Sequence, residues 1–500
     1  MTNWNKNPYR VLGVPQGASV KEIRSVYRNV ANRLHPDKNP NNAAAAAQFQ
    51  EVALAHEILS NAHRRQAYDD RPRTSTYEFT MRTLSSRKTL RVLDEPQVIY
   101  LLTKIQPDPA AKEEIKNRPT RLNLTLVLDQ SNSMKGARIE KVKIAAHQII
   151  DNLSDMDILS VVTFNDRSET IIEATPAKDK PSLKAKVSLI APSGGTEIHK
   201  GLEAGAIECR KFLQNDLVNH IILLTDGHTF GDQERTLELV DELTREGIGV
   251  SAMGLGHDWN DQFLDDLASR SGGTSSYITS ANAVVRFLND HVRSLVNAFA
   301  ERMSFFVAVD AGVKLESAFR LSPSPQPLKV GNNIIPLGSL QIDRPISVLF
   351  QINLPANMEV GRCHIARIAA EGNVLSSDPP ICYDVNDIVV NTQHEPTREE
   401  TPSTILEALS KLTLYKLQER AQEAIEQGDA DEATKRLKNL ATRFLAMGQE
   451  ELAQQASEEA GRIHSTRQFS ERGRKTLKYQ TRHLLDGGDQ TRQYSDEAEE

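Results

Sequence analysis

The sequence predicts a multidomain chain. An all-α unit comes first, then a β-sandwich interrupted by an inserted α/β unit with a mostly parallel sheet, then an α-helical C-terminal region. Three observations carry this. Over 7–70, apolar residues recur at helical spacing. Over 121–302, apolar runs alternate with amphipathic stretches, the pattern of βα units. Over 76–120 and 303–390, short β-rich runs separated by turn residues flank that segment on both sides, so we expect one sandwich with the α/β unit inserted between its halves.

At 500 residues the chain has room for two to four domains. Its net charge of −7 does not point to a general nucleic-acid binder. The three cysteines, Cys209, Cys363 and Cys382, include no Cys-x-x-Cys, which opposes a disulfide scaffold or zinc site and fits a reducing compartment. The opening Met1-Thr-Asn-Trp-Asn-Lys-Asn lacks the apolar core of a signal peptide, and no apolar run is long enough to span a bilayer. A cytoplasmic location is therefore expected.

In the first unit, Ser19-Val-Lys-Glu22 reads as a capping box. Val20, Ile23, Tyr27, Val30 and Leu34 then form an apolar stripe, leaving Lys21, Arg24, Arg28 and Arg33 outside. His35-Pro36-Asp37-Lys38 ends that helix, because Pro36 biases His35 away from helical geometry. A second helix is expected over 42–59 with Phe49, Val52, Ala53, Ile58 and Leu59 on its stripe, and a short third piece ends at Tyr68-Asp69. By itself His-Pro-Asp is only a helix-ending loop. The frame of Tyr9-x-x-Leu12-Gly13-Val14, Tyr27-Arg28, His35 to Asn39, Phe49, Ile58-Leu59-Ser60 and Arg65-x-x-Tyr68-Asp69 closely resembles the J domain of DnaJ-type co-chaperones. The resemblance implies that His35, Pro36 and Asp37 contact a DnaK-type chaperone and stimulate its ATP hydrolysis. It also implies that the basic face with Lys21, Arg24 and Arg28 docks on that chaperone, steered by charge. The visible departure is His56, where the family usually has Tyr, a change expected to loosen the helix packing. No Gly/Phe-rich linker and no cysteine-rich zinc domain follow, so the likeness is to J proteins that share only the J domain.

Residues 71–75 read as a polar linker, and strands are expected over 77–81, 88–92 and 97–103 before a polar connection at 106–120. The α/β unit opens with the apolar run 122–128, suited to a strand buried on both faces, and ends in Asp129-Gln-Ser131-Asn-Ser133. Further strands are expected over 158–164, 220–225 and 249–255, with helices over 138–153 and 282–300, the latter with Val285, Leu288, Val292, Leu295 and Phe299 inward. Loops at the carboxyl ends of central strands are where open α/β sheets place ligands. Ser193-Gly194-Gly195-Thr196 adds a hydroxyl on a Gly-rich turn, and Thr225-Asp226-Gly227 a second carboxylate. Hard oxygen donors of this kind suit Mg²⁺, with Mn²⁺ possible. The alternative is that these groups merely cap the following helices. Asp-x-Ser-x-Ser, a downstream Thr and Thr-Asp-Gly together resemble the metal-ion-dependent adhesion site of von Willebrand factor type A domains, Rossmann-like in fold. That resemblance implies metal contact by Ser131, Ser133 and Thr196, with Asp129 and Asp226 acting largely through water. Asp155, Asp157, Asp232 and Asp258 are read as caps and turn residues, and Cys363, Cys382 and His364 as structural.

After the strands of 303–390, an arrangement similar to that of several bacterial type A proteins, comes an acidic linker at 391–403. Helical hairpins are expected over 404–486, with Leu406, Leu409, Leu412, Tyr415, Leu417 and Ala421 on the first stripe and Leu437, Leu440, Phe444 and Leu445 on the next. Arg467, Arg472, Arg474, Lys475, Lys478 and Arg482 read as a solvated basic face, and 487–500 as a disordered acidic tail.

No nucleophile–base pair, Walker loop or zinc motif occurs, so a non-enzyme is expected. The leading expectation is a co-chaperone that stimulates a DnaK-type ATPase and recruits a protein client through the type A metal, whose open position takes a partner's carboxylate. The alternative is a Mg²⁺-dependent interaction scaffold in a bacterial signalling or AAA-ATPase remodelling system. An adhesion protein is opposed by the J domain and the missing signal peptide.

Overall fold

The computed structural model describes residues 6–70, 77–111, 113, 120–227, 231–375, 381–396 and 399–485. The expected linker at 71–75, much of the connection at 106–120 and the expected tail at 487–500 lie outside the described residues.

The N-terminal unit is helical: α1 Pro8–Leu12, α2 Val20–Leu34, α3 Ala43–Ser60 and α4 Ala62–Asp69. The capping box forms as expected, with Ser19 and Glu22 each accepting from the other's backbone N–H. Two expectations on α2 and α3 fail. Val20 is exposed, lying in the first turn before the helix meets its neighbour, and Ala55 rather than Ala53 enters the core. His56 stacks its ring flat on Tyr27 at 3.9 Å between centroids.

The middle of the chain supplies β1 Phe79–Ser85, β2 Thr89–Arg91 and β3 Gln97–Pro107. Then come β4 Leu122–Asp129, α5 Ala137–Asn152, β5 Ile158–Phe164, β6 Ser168–Pro176, α6 Lys180–Ser188, α7 Ile198–Arg210 and β7 Val218–Thr225. They are followed by α8 Gln233–Glu246, β8 Gly249–Leu255, α9 Asp261–Arg270, β9 Ser275–Ile278 and α10 Ala281–Val296. Strands return as β10 Ala298–Val309, β11 Lys314–Ser322, β12 Gln326–Leu328, β13 Ile334–Gln341, β14 Ile346–Leu354, β15 Gly361–Val374 and β16 Ile381–Gln393.

These strands make three sheets. The orders β1-β3-β14-β11-β12 and β13-β10-β15-β16-β2 face one another over a core that includes Phe79, Leu101, Phe305, Ile335, Phe350 and Ile368. The third, β6-β5-β4-β7-β8-β9, is parallel apart from the antiparallel edge strand β6, which the sequence pattern did not reveal, nor did it reveal β9 and β11. Its insertion into the sandwich is tied at the neck, where the Thr120 hydroxyl donates to the Ala298 carbonyl at 2.9 Å. The expected helix over 282–300 ends early. Asn297 caps α10, and Phe299, placed on the helical stripe by spacing alone, is a strand residue buried in the sandwich. The expected acidic linker is ordered at both ends: β16 runs to Gln393, and the Glu399 carboxylate accepts from the Lys88 N–H and the Thr89 hydroxyl at 2.9 and 2.6 Å.

The chain divides into two compact units, 1–318 with 327–402, and 319–326 with 403–500. The second carries α11 Ser403–Glu426, α12 Ala430–Ala446, α13 Glu450–Thr466 and α14 Glu471–Leu485. Leu406 and Leu445 are exposed; Ile405 and Leu414 point inward instead. The expected solvated basic face is divided: Arg467 and Arg472 are exposed, whereas Lys475, Lys478 and Arg482 on α14 lie inside, with the Arg482 guanidinium stacked on the Tyr415 and Tyr479 rings. Among the described residues, no helix is long and apolar enough to cross a membrane.

Candidate metal centre and His-Pro-Asp loop

Strand β4 lies between β5 and β7, and the connections β4→β5 and β7→β8 run away from each other on the two sides of the β4–β7 pair. The crevice at their carboxyl ends is the switch point where such sheets hold ligands. All eight residues of β4 are buried, so Asp129 is carried to the end of the strand as a buried carboxylate. Its Oδ1 accepts from the Ser131 N–H at 2.8 Å and its Oδ2 from the Thr225 hydroxyl at 2.6 Å. Burial pushes its carboxyl up to about 6, against the pull of those two donors. Helix α5 takes Gly136 as its N-cap, so Asp129 is not a helix cap.

The other expected residues gather around it. The Ser131 and Ser133 hydroxyls lie 2.8 Å apart, and Ser133 donates to Asp226 Oδ1 at 2.6 Å. Thr196 is brought up by the Gly-rich turn: a Cβ built on Gly227 would sit 3.1 Å from the Thr196 hydroxyl oxygen. Gly194 has φ +76°, and a Cβ there would collide with the Asp166 carboxylate, which instead accepts from the Gly195 N–H. The turn is pinned to the first loop by Asn132 N–H to Gly194 O at 3.1 Å and Ser193 N–H to Gln130 O at 2.7 Å. Thus two carboxylates and three hydroxyls from three separate loops share one crevice. This is a hard-oxygen set that fits a divalent ion, and a buried carboxylate held above its ordinary range is one whose charge a cation would offset. Among the described residues, no group of three or more His, Cys, Asp or Glu is placed to hold a metal.

The motif did not point to Arg138. Its guanidinium pairs with Asp226 Oδ2 and reaches the Ser133 carbonyl at 3.3 Å. Nothing in the motif spacing marks it, since it lies in the first turn of α5, where a basic residue reads as surface. Asp157 and Asp232 do serve as expected. Asp157 accepts from the Leu122 and Ser154 N–H groups at 2.8 and 2.7 Å, and Asp232 from the His199 N–H at 2.9 Å.

The His-Pro-Asp loop follows α2. His35, Pro36 and Asp37 are exposed, as are Lys21, Arg24 and Arg28. The loop is shaped from inside. Asn39 donates to the Arg33 and His35 carbonyls at 2.5 and 3.1 Å, and the His35 ring meets Phe49 edge-on at 5.7 Å. Arg33 departs from expectation. It turns away from solvent and bonds Asp310 through Nε and Nη2, at 3.0 and 2.9 Å, and Asp387 through Nη1 at 2.9 Å.

Comparison with known proteins agrees with these parts. Residues 7–69 match the DnaJ domain, 123–290 the von Willebrand factor type A domain, and 403–487 the Sll0103-like, C-terminal alpha-helical domain. The chain carries a J domain and a type A domain, followed by that helical domain. An uncharacterized protein, sll0103, of Synechocystis is 29% identical over 347 residues, 66% of this chain and 80% of its own length. Over 64 residues the chain is 50% identical to chaperone protein dnaJ 39 of Arabidopsis thaliana, and over 61 residues 46% identical to the human DnaJ homolog subfamily B member 11. These two matches span only 16% and 17% of those proteins, and 13% and 12% of this chain. In fold, a von Willebrand factor type A protein from Catenulispora acidiphila aligns with a TM-score of 0.66 at 15% identity, covering 82% of this chain and 99% of that one. The ArnB paralog VWA2 from Sulfolobus acidocaldarius aligns at 0.53 and 15%, covering 82% and 98%.

Proposed function

We propose that this chain, a J-domain protein with a type A interaction domain, is a co-chaperone that stimulates a DnaK-type ATPase and recruits a protein client through a divalent ion. The J domain supplies the chaperone contact. His35, Pro36 and Asp37 stand exposed at the end of a helix whose Lys21, Arg24 and Arg28 form an open basic face suited to an acidic surface. Ser131, Ser133 and Thr196 would hold Mg²⁺ directly, with Asp129 and Asp226 behind them. The ion, when bound, supplies a Lewis-acidic position for a carboxylate of the client. Mn²⁺ fits the same oxygens. Both domains are of kinds that typically serve interaction and regulation rather than catalysis, and a non-enzymatic role in the cytoplasm is part of this reading.

The single observation that carries it is the joint presence, in one chain, of an open His-Pro-Asp loop and a gathered set of two carboxylates and three hydroxyls at the switch point. Two measurements on the full chain test it. The wild type should raise the steady-state ATPase rate of a DnaK-type chaperone several-fold, and His35→Gln should abolish that rise; equal stimulation by both sinks the chaperone half. Calorimetric titration should show Mg²⁺ binding that Asp129→Ala weakens by about a hundredfold; unchanged binding sinks the metal half.

A further inference from the structure

The J domain is built onto the sandwich. Tyr9, Val11, Leu12, Ile23, Leu34, Ala45 and Val52 share one apolar cluster with Ala308, Ala369 and Tyr383 from the outer face of the β10–β15–β16 sheet. Polar groups ring this seam. Gln48 of α3 is fully enclosed and donates to the Phe306 and Arg367 carbonyls at 2.8 and 3.2 Å. Arg367, only 1% exposed, reaches from the sheet to the Val11 carbonyl at 2.8 Å and pairs with Asp387. The charges are complementary: Lys6 binds Glu371 at 2.7 Å, Arg10 reaches Glu78 and Asp384, and Arg33 bridges Asp310 and Asp387. The basic ends come mostly from the J domain and the acidic ends from the sandwich.

Where this leaves the chaperone-facing side follows from helix geometry. At about 100° per residue, Lys21, Arg24 and Arg28 fall on one flank of α2, and Arg33 falls roughly 140° or more from that flank's centre. The residue clamped to the sandwich is therefore not on the flank that remains open.

We propose that the J domain works as a seated lobe: the sandwich holds its back through Arg33, Arg10, Lys6 and Gln48, and a DnaK-type chaperone engages the opposite flank and the His-Pro-Asp loop without lifting it off. This rests on the chaperone reading above. Because Arg33 stands two residues before His35, the Asp310–Arg33–Asp387 clamp also fixes the root of the chaperone-contacting loop.

Hydrogen exchange on the full chain tests both parts. In the free protein, amides of α3 and of 366–370 in β15 should exchange slowly. Lys6→Glu combined with Arg33→Glu should speed them about tenfold or more while leaving the sandwich core protected. Asp310→Lys, which alters the sandwich side alone, should do the same to a smaller extent. If neither variant changes exchange at the seam, there is no ionic seat and the proposal falls. With saturating chaperone, wild type should gain protection over 21–37 and keep its protection at the seam. Loss of seam protection on chaperone binding would show that the lobe lifts off, and overturns the proposal. If wild type shows no chaperone effect at all, the chaperone reading fails and takes the second part with it, whereas the free-protein arm judges the seat by itself.

Discussion

The seam under the J domain holds part-exposed carboxylates and the loop after β4 a buried one, and the two are neutralised in opposite ways. At the seam every carboxylate meets a cation of the chain: Asp310 and Asp387 meet Arg33, Asp387 also meets Arg367, and Glu371 meets Lys6. At the loop, the groups that bond Asp129 among the described residues are neutral ones of Ser131 and Thr225, and its carboxyl rises to about 6. Neutral donors stabilise a carboxylate less than a guanidinium does. A self-neutralised cluster reads as architecture, whereas in our proposal the buried Asp129, unlike Asp226 with its Arg138, is where a cation from outside would supply the missing positive charge.

The largest effects should separate the two kinds. Asp387→Ala leaves the enclosed Arg367 guanidinium without its carboxylate, and breaking such a pair from one side should cost about 3 kcal/mol of stability. Denaturant unfolding of the full chain, followed by tryptophan fluorescence, reads this; a loss under about 0.5 kcal/mol would mean that water already screens the pair. Asp129→Asn at the loop should behave in the reverse manner. In chelator its stability should match or exceed wild type, since a disfavoured buried charge is gone. The stabilisation that wild type gains from Mg²⁺, about 2.7 kcal/mol at a hundred times the dissociation constant, should disappear. If Asp129→Asn is as destabilising in chelator as Asp387→Ala, the contrast between the two regions collapses.

These regions also differ in how far the sequence exposes them. Asp129, Ser131 and Ser133 are neighbours in one motif, and Thr196 and Asp226 stand at loop positions that βα alternation locates, so the set is legible in the sequence alone. The clamp is not. Arg33 and Asp310 are 277 residues apart, and an arginine on an amphipathic helix reads as solvated until its partner surface is known. A faint signal is present. Residues 365–370 of β15, Ile-Ala-Arg-Ile-Ala-Ala, are buried without a break, and such a run does not alternate as a strand with one wet face should. Arg138 escapes for the same reason as Arg33. On α14, a count of positive charges along the helix cannot foresee that Tyr415 and Tyr479 receive Arg482. Spacing overextends helix α10 because Phe299 continues the helical stripe, although it packs into a different core.

A third carboxylate sharpens the comparison with the smallest change. Glu301 on β10 is buried, its Oε1 has no hydrogen-bond partner among the described residues, and its carboxyl is pushed up to about 7 by burial, which outweighs the opposing pull of Ser339 and Arg302. Among the described residues no paired guanidinium serves it, and burial favours its protonated form. The sign follows from linkage. In the unfolded chain an ordinary glutamate ionises near 4.5, while the folded state resists ionisation up to about 7. Its favourable contribution is therefore complete below 4.5 and is lost as pH rises through 7. Glu301→Gln, which keeps the shape without the charge, should leave stability at pH 4.5 nearly unchanged and raise it by about 2 kcal/mol at pH 8. Unfolding curves of both proteins at those two pH values decide the matter. A gain of equal size at both would mean that Glu301 is costly as a polar side chain rather than as a charge, and that burial alone does not make a carboxylate of this chain take up a proton.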